Sequence, residues 1–277
     1  MGSLPNLTIT ELLIKSVDFI QSKPNQPKII LFSAVLEGFR GLGARDAVAE
    51  LTDHKQTKTQ LAKLALISPD LPAAQTALAP FINSNNTPSP SNTNRQFNQS
   101  LANKFEHRLQ ILIEKIPLFA SRQGLISQFY LFYYALRNKI LGVTTTTTRP
   151  VPSAPYQASL QLLELLLRYA KSNDVRLIIY IAPVRPIKPN PFLPEDIERF
   201  RKDVAKLCYN YHEVFLDYTN LIPNVLWTNY PEKDIAGLEG QKDFAHFTGA
   251  AHQLLAKQLT KDILPIISNS LKEGCRP

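Results

Sequence analysis

Cysteine is scarce: Cys208 and Cys275 are the only two among 277 residues. They form no C-x-x-C and no metal-type spacing, so a thiolate metal site is set aside. Cys208 falls on the apolar face of a predicted helix, where a buried, inert thiol is expected. Long apolar runs are lacking too. No stretch of about 18 apolar residues occurs, which argues against a transmembrane helix within the sequence. The opening Met1-Gly2-Ser3-Leu4-Pro5 lacks the basic-then-apolar pattern of a signal peptide. Clustered basic runs are missing as well. The 31 Lys and Arg exceed the 23 Asp and Glu, giving a net charge of +8, but they are scattered. Nucleic acid is therefore set aside as the main partner, while a polyanionic glycan or an acidic lipid surface suits the charge.

What is present is an alternation of helical and strand patterns. The 44% hydrophobic and 19% charged fractions fit a folded chain with a sizeable core. Thr8-Ile9-Thr10-Glu11 has the form of a capping box, and Leu12, Leu13, Val17 and Ile20 follow at helical spacing. Lys23-Pro24-Asn25-Gln26-Pro27 ends that helix. The apolar run at 28–32 predicts a strand buried on both faces, as in a parallel sheet, with a loop at 33–41. Residues 44–82 read as one or two helices. Residues 83–100 are polar and rich in Pro, Ser and Asn, the pattern of a flexible loop. A helical pattern over 101–143 carries Phe129, Tyr130, Phe132, Tyr133 and Tyr134, which fits a core helix packing on the sheet, or a lid or membrane-facing helix. The spacer ends with Arg149-Pro150-Val151-Pro152. Beyond it the pattern predicts a helix at 160–170, a strand at 175–182, a helix opening at Pro194 and a strand at 212–217. A last helix capped by Thr248 carries Leu255, Leu259 and Ile263 on one face.

This order predicts an α/β fold built on a mostly parallel sheet with right-handed crossovers. The expected organisation is 1–82 as the first part of the α/β domain, 83–150 as a loop and helical insertion, and 151–277 as the second part. Ligands in such folds sit at the carboxyl ends of the strands. Three segments qualify: 33–41, 183–189 and 217–246.

Asp243-Phe244-Ala245-His246 is the best candidate for chemistry. A carboxylate three residues ahead of a histidine, in an extended turn, can hold the imidazole Nδ1–H and leave Nε2 free as a base. D-x-x-H alone is a common pattern, and its setting before an amphipathic helix adds weight. Ser33 is considered as a nucleophile because it follows a predicted strand, although a capping serine is the commoner case. Arg185 is a candidate for binding a carboxylate or phosphate, against the commoner solvated loop arginine. Glu37 and Arg40 are candidate substrate contacts or simply each other's partners. His252 reads as a packed helix residue, and His54 and His107 as surface. Asp243, His246 and His252 lack a further ligand at a telling spacing, so no metal is expected.

The stretch Asp243-Phe244-Ala245-His246-Phe247-Thr248-Gly249-Ala250-Ala251-His252 resembles the last block of the SGNH (GDSL-type) hydrolases. The likeness extends more loosely to the strands at 175–182 and 212–217. It implies a flavodoxin-like three-layer α/β/α sandwich. It also implies an esterase or acyltransferase working without a cofactor on acyl esters of glycans or lipids, outside the cytoplasm or at a membrane. Asp243 would orient His246, and His246 would be the base. The family's serine motif after the first strand has no match: Gly2-Ser3-Leu4 follows no strand. Nor does 33–41 contain the family's Asn. Matched by order, the first one or two family strands are expected to be absent, leaving the strand at 29–32 as an apolar sheet edge. An inactive relative that binds a glycan or protein partner is the alternative.

Overall fold

The computed structural model describes residues 7–22, 27–83, 136, 148–186, 190–229 and 242–273. The expected insertion at 83–150 lies almost wholly outside them. The chain divides into two compact units: 1–98 with 150–182 and 194–217, and 99–149 with 183–193 and 218–277.

The first unit is the parallel α/β part. It contains α1 (Ile9–Ser22), β1 (Ile29–Ala34), a 3-10 turn at Leu36–Phe39, and α2 (Asp46–Ala49). Next come α3 (Lys55–Ile67), α4 (Pro72–Ile82), α5 (Ser153–Ser172), β2 (Arg176–Ile181), α6 (Pro194–Tyr211) and β3 (Val214–Asp217). The sheet order is β1-β2-β3, all parallel, with Ile29 opposite Arg176 and Ile178 opposite Val214. The α/β class and parallel sheet expected from the alternation are therefore present.

α5 packs on β2 and against α1, α4 and α6. Two right-handed crossovers advancing in one direction put their helices on the same side of a sheet. The facing row of Phe32, Ala34, Leu177, Ile179 and Ile181 is buried accordingly. The other face corrects the expectation of a doubly buried first strand: Leu31 is 46% exposed and Ser33 half-buried. β1 has a neighbour on one side only among the described strands, and burial on both faces needs cover on both.

α1 is organised as its capping box dictates. Glu11 N–H donates to Thr8 Oγ1 (3.2 Å) and Thr8 N–H to Glu11 Oε2 (3.1 Å). The same carboxylate accepts Arg45 N–H (2.8 Å) and Arg45 Nε–H (2.7 Å). Thr10 Oγ1 donates to Leu42 O. The loop after β1 is thereby fastened to the start of α1. Gly38 sits so close to Leu7 that a Cβ would lie 2.5 Å from its carbonyl oxygen. Phe39, at the end of the 3-10 turn, meets the Phe200 ring edge-on at 4.8 Å. Tyr156 is buried beside them, donates to Asp203 Oδ2 (2.8 Å) and lies under the Arg199 guanidinium. Burial, and then Asp203, hold its phenol well above the ordinary range.

α5 and α6 end in the same way. Asp174 and His212 both take positive φ, 54° and 59°. Val175 N–H bonds Ala170 O and Asp174 N–H bonds Lys171 O. Glu213 N–H bonds Cys208 O and His212 N–H bonds Tyr209 O. Each is a Schellman cap leading into a strand, built without glycine. The left-handed conformation costs an L-residue roughly 1–2 kcal/mol. Asp174→Gly and His212→Gly should therefore each raise the urea midpoint, by about 1 kcal/mol of stability. A loss of stability in both would refute this assignment of strain.

Cys208 lies on the inner face of α6, fully buried as expected. Burial, reinforced by the Glu213 carboxylate, pushes its thiol up to about 12. A thiol with so little thiolate at pH 8 is a poor nucleophile. In a Cys275→Ser background, Cys208 should resist Ellman's reagent in the native protein and react at once in guanidinium. Rapid native labelling would contradict its placement.

Candidate functional site

The second unit carries Arg185 and the Asp243–His246 block, and both hang on residues 222–229. β4 (Trp227–Asn229) follows a 3-10 turn at Asn224–Leu226 and pairs antiparallel with β5 (Lys242–Phe247). The last helix, α7 (Gly249–Glu273), starts immediately afterwards. Thr248 Oγ1 accepts Ala251 N–H (3.4 Å), the cap expected there. Ile222, Trp227 and Ala251 form a small core, with Leu226, Phe247, Leu254 and Leu255 packed on it.

The Asp-x-x-His block is on a strand, which corrects its expected place in a loop. The strand is irregular. Trp227 pairs with Phe247 and Asn229 with Lys242, so a single residue of β4, Thr228, faces the four residues Asp243, Phe244, Ala245 and His246. In a regular strand, positions three apart point to opposite faces. A bulge breaks that alternation and re-aims side chains, and bulges recur beside active sites. Thr228 Oγ1 donates to His246 O (3.0 Å), and Thr248 N–H donates to Leu226 O (2.8 Å). These bonds pin the backbone at the His246 end of the bulge. The His246 side chain is exposed. The Asp243 side chain lies outside what the structure describes.

Arg185 is the second surprise. It was weighed against a solvated loop arginine, yet it is only 2% exposed. Its Nε–H donates to Asn224 Oδ1 (3.1 Å), and its carbonyl accepts the Asn190 side-chain amide (3.0 Å). Val184 N–H donates to Thr219 O (3.0 Å), joining the segment after β2 to the one after β3. A guanidinium so enclosed orders the loops around it.

The other candidates belong to the first unit. Ser33 is the fifth residue of β1, opposite Tyr180, and not in the loop beyond the strand as expected. The strand continues through Ala34 because Ala182 N–H still bonds Ala34 O (3.1 Å). Glu37 and Arg40 do pair with each other: Arg40 Nη1 donates to Glu37 Oε1 (2.8 Å) and Oε2 (2.9 Å), and Arg40 Nε donates to Pro150 O. His252 is exposed, its ring 4.4 Å from the Phe247 ring. His54 is a surface residue as expected, with Nδ1 2.8 Å from Asp18 Oδ1. Sequence reasoning missed Asn224 and Thr228, because neither carries a signal until the fold brings it to Arg185 or His246.

Among the described residues no group of three His, Cys, Asp or Glu side chains is placed to hold a metal ion, and no helix is long and apolar enough to cross a membrane. No family model, curated protein or solved structure matches the chain.

Proposed function

We propose that the chain is an SGNH-hydrolase-like esterase or acyltransferase acting on acyl esters of glycans or lipids, with His246 as base and Asp243 as the acid that orients it. The supporting observation is the bulge: the whole Asp-x-x-His block stands opposite Thr228, directly before the last helix. In this reading His246 Nε2 takes the proton of the attacking hydroxyl and returns it to the leaving alcohol, while Asp243 stabilises the imidazolium. The net charge of +8 suits an anionic glycan or lipid surface outside the cytoplasm.

A specific observation favours a second reading. Ser33 sits within β1 and not beyond its carboxyl end. That suits an inactive relative that binds a glycan or protein partner.

The test combines hydrolysis of p-nitrophenyl acetate and acetylated glycans with labelling by a fluorophosphonate. The active reading expects turnover, a labelled serine, and a roughly 10²–10⁴-fold loss of rate in His246→Ala, the usual worth of a general base. An unmutated protein that neither turns over nor labels overturns it and leaves the binding reading. Undiminished turnover in His246→Ala overturns the assignment of the base.

A further inference from the structure

The outer edge of β1 is built to receive a strand. Arg176 N–H bonds Lys28 O and Ala182 N–H bonds Ala34 O. In a parallel strand the N–H and C=O of one residue point to the same side, and successive residues alternate. The backbone groups of 28, 30, 32 and 34 therefore face β2. Those of Ile29, Leu31 and Ser33 face outward, where no described strand lies.

Edge strands are normally guarded by a charge, a proline or a bulge. β1 reads Ile-Ile-Leu-Phe-Ser-Ala, has none of these, and keeps unbroken register with β2 over all six residues. Leu31, at its middle, is 46% exposed.

We propose that this edge is a homodimer interface, in which β1 of two copies pair antiparallel about a two-fold axis at Leu31. The outward-facing residues then form hydrogen-bonded pairs, Leu31 with the partner's Leu31 and Ile29 with the partner's Ser33. A second copy fits because the strand is complementary to itself. The two exposed Leu31 side chains cover each other on one face, and Ile30 meets the partner's Phe32 on the other. The charges at the ends choose the direction. Antiparallel order sets the two copies of Lys28 at opposite ends of the strand pair, whereas parallel order sets them side by side. The result is one six-stranded sheet, β3-β2-β1 running into the partner's β1-β2-β3. This is an isologous, closed contact.

Sedimentation velocity on the full chain tests it. The unmutated protein should sediment as a dimer at micromolar concentration and dissociate on dilution. Leu31→Lys should be a monomer with an unchanged circular dichroism spectrum, since its side chain and backbone face away from the β2 hydrogen bonds. In a Cys275→Ser background, Leu31→Cys should be captured as a covalent dimer by a short bismaleimide, and Leu66→Cys, 78% exposed on α3, should not. A monomer at every concentration overturns the proposal, as does a Leu31→Lys dimer. If Leu31→Lys fails to fold, the cross-linking decides: no covalent Leu31→Cys dimer means this edge is not the interface.

Discussion

Glu11→Ala should lower the unfolding free energy by about 3 kcal/mol, because it strips the acceptor from backbone donors that burial denies to water. The Glu11 side chain is 2% exposed. It accepts Thr8 N–H, Arg45 N–H, Arg45 Nε–H and Arg45 Nη2–H. Each backbone donor left orphaned costs roughly 1–3 kcal/mol, and the lost cap is one of them. The guanidinium is less of a liability, since Arg45 is 38% exposed and can turn to solvent. Glu11→Gln should lose less, because one oxygen remains, but its amide presents donors to donors. Far-UV circular dichroism against urea measures both. Hydrogen exchange at Leu42 to Arg45 should quicken in step, since Thr8 and Thr10 fasten Gly43 O and Leu42 O to the same helix start. An alanine variant within about 1 kcal/mol of the parent would show that the donors around Glu11 find water and that its carboxylate carries little of the stability.

The first half of that arrangement is legible in the sequence and the second is not. Thr8-x-x-Glu11 is a local motif whose partners are three residues apart, so the spacing alone predicts both bonds. Arg45 lies 34 residues further on and reaches Glu11 only because β1 returns the chain to the start of α1. Where local chemistry is ambiguous, the reading slips at the boundaries. α5 begins at Ser153, seven residues before its apolar stripe suggests. Pro152 reads as the end of a spacer and Pro155 follows it, yet proline is tolerated at the first turn of a helix. The caps of α5 and α6 carry Asp174 and His212 in place of glycine, so no residue type marks them. The Asp243–His246 block is legible as chemistry but not as geometry. A strand with several residues facing one has no sequence period, and its hydrogen bonds come from Thr228 on another strand. Burial of Arg185 is hidden for a like reason: a Pro-rich segment reads as solvated until Asn190 and Asn224 are brought to it.

Arg185 carries the second large effect. Arg185→Ala should destabilise its unit by roughly 3–5 kcal/mol, the orphaned buried acceptor and the cavity left by a large side chain added together. Among the described residues Arg185 is the largest fully buried side chain, so truncation opens a cavity as well as orphaning Asn224 Oδ1. Arg185→Lys should not rescue it. The bond to Asn224 runs from Nε, part-way along a planar fork, while a lysine ammonium is a single strongly hydrated point charge at the end of its stem. Asn224→Ala should cost less, about 1–2 kcal/mol, because the guanidinium keeps its other donors for other acceptors. The chain supplies its own probe. Trp227 is its only tryptophan, 3% exposed, and its indole N–H donates to Ile222 O (3.3 Å) within the small core beside Asn224. Its emission should shift to the red at lower urea in Arg185→Ala than in the parent, with Arg185→Lys close to the alanine variant. If lysine restores the parent midpoint, the site needs only a positive charge, and Arg185 would be a point-charge contact and not the fork that orders the loops around it. The His246 reading then gains its own check. The His246 end of the bulge is held by Thr228 O–H and Leu226 O, both in the segment that Arg185 grips through Asn224. Loosening that grip should therefore lower any His246-dependent turnover even in urea-free buffer, where the variant is still folded.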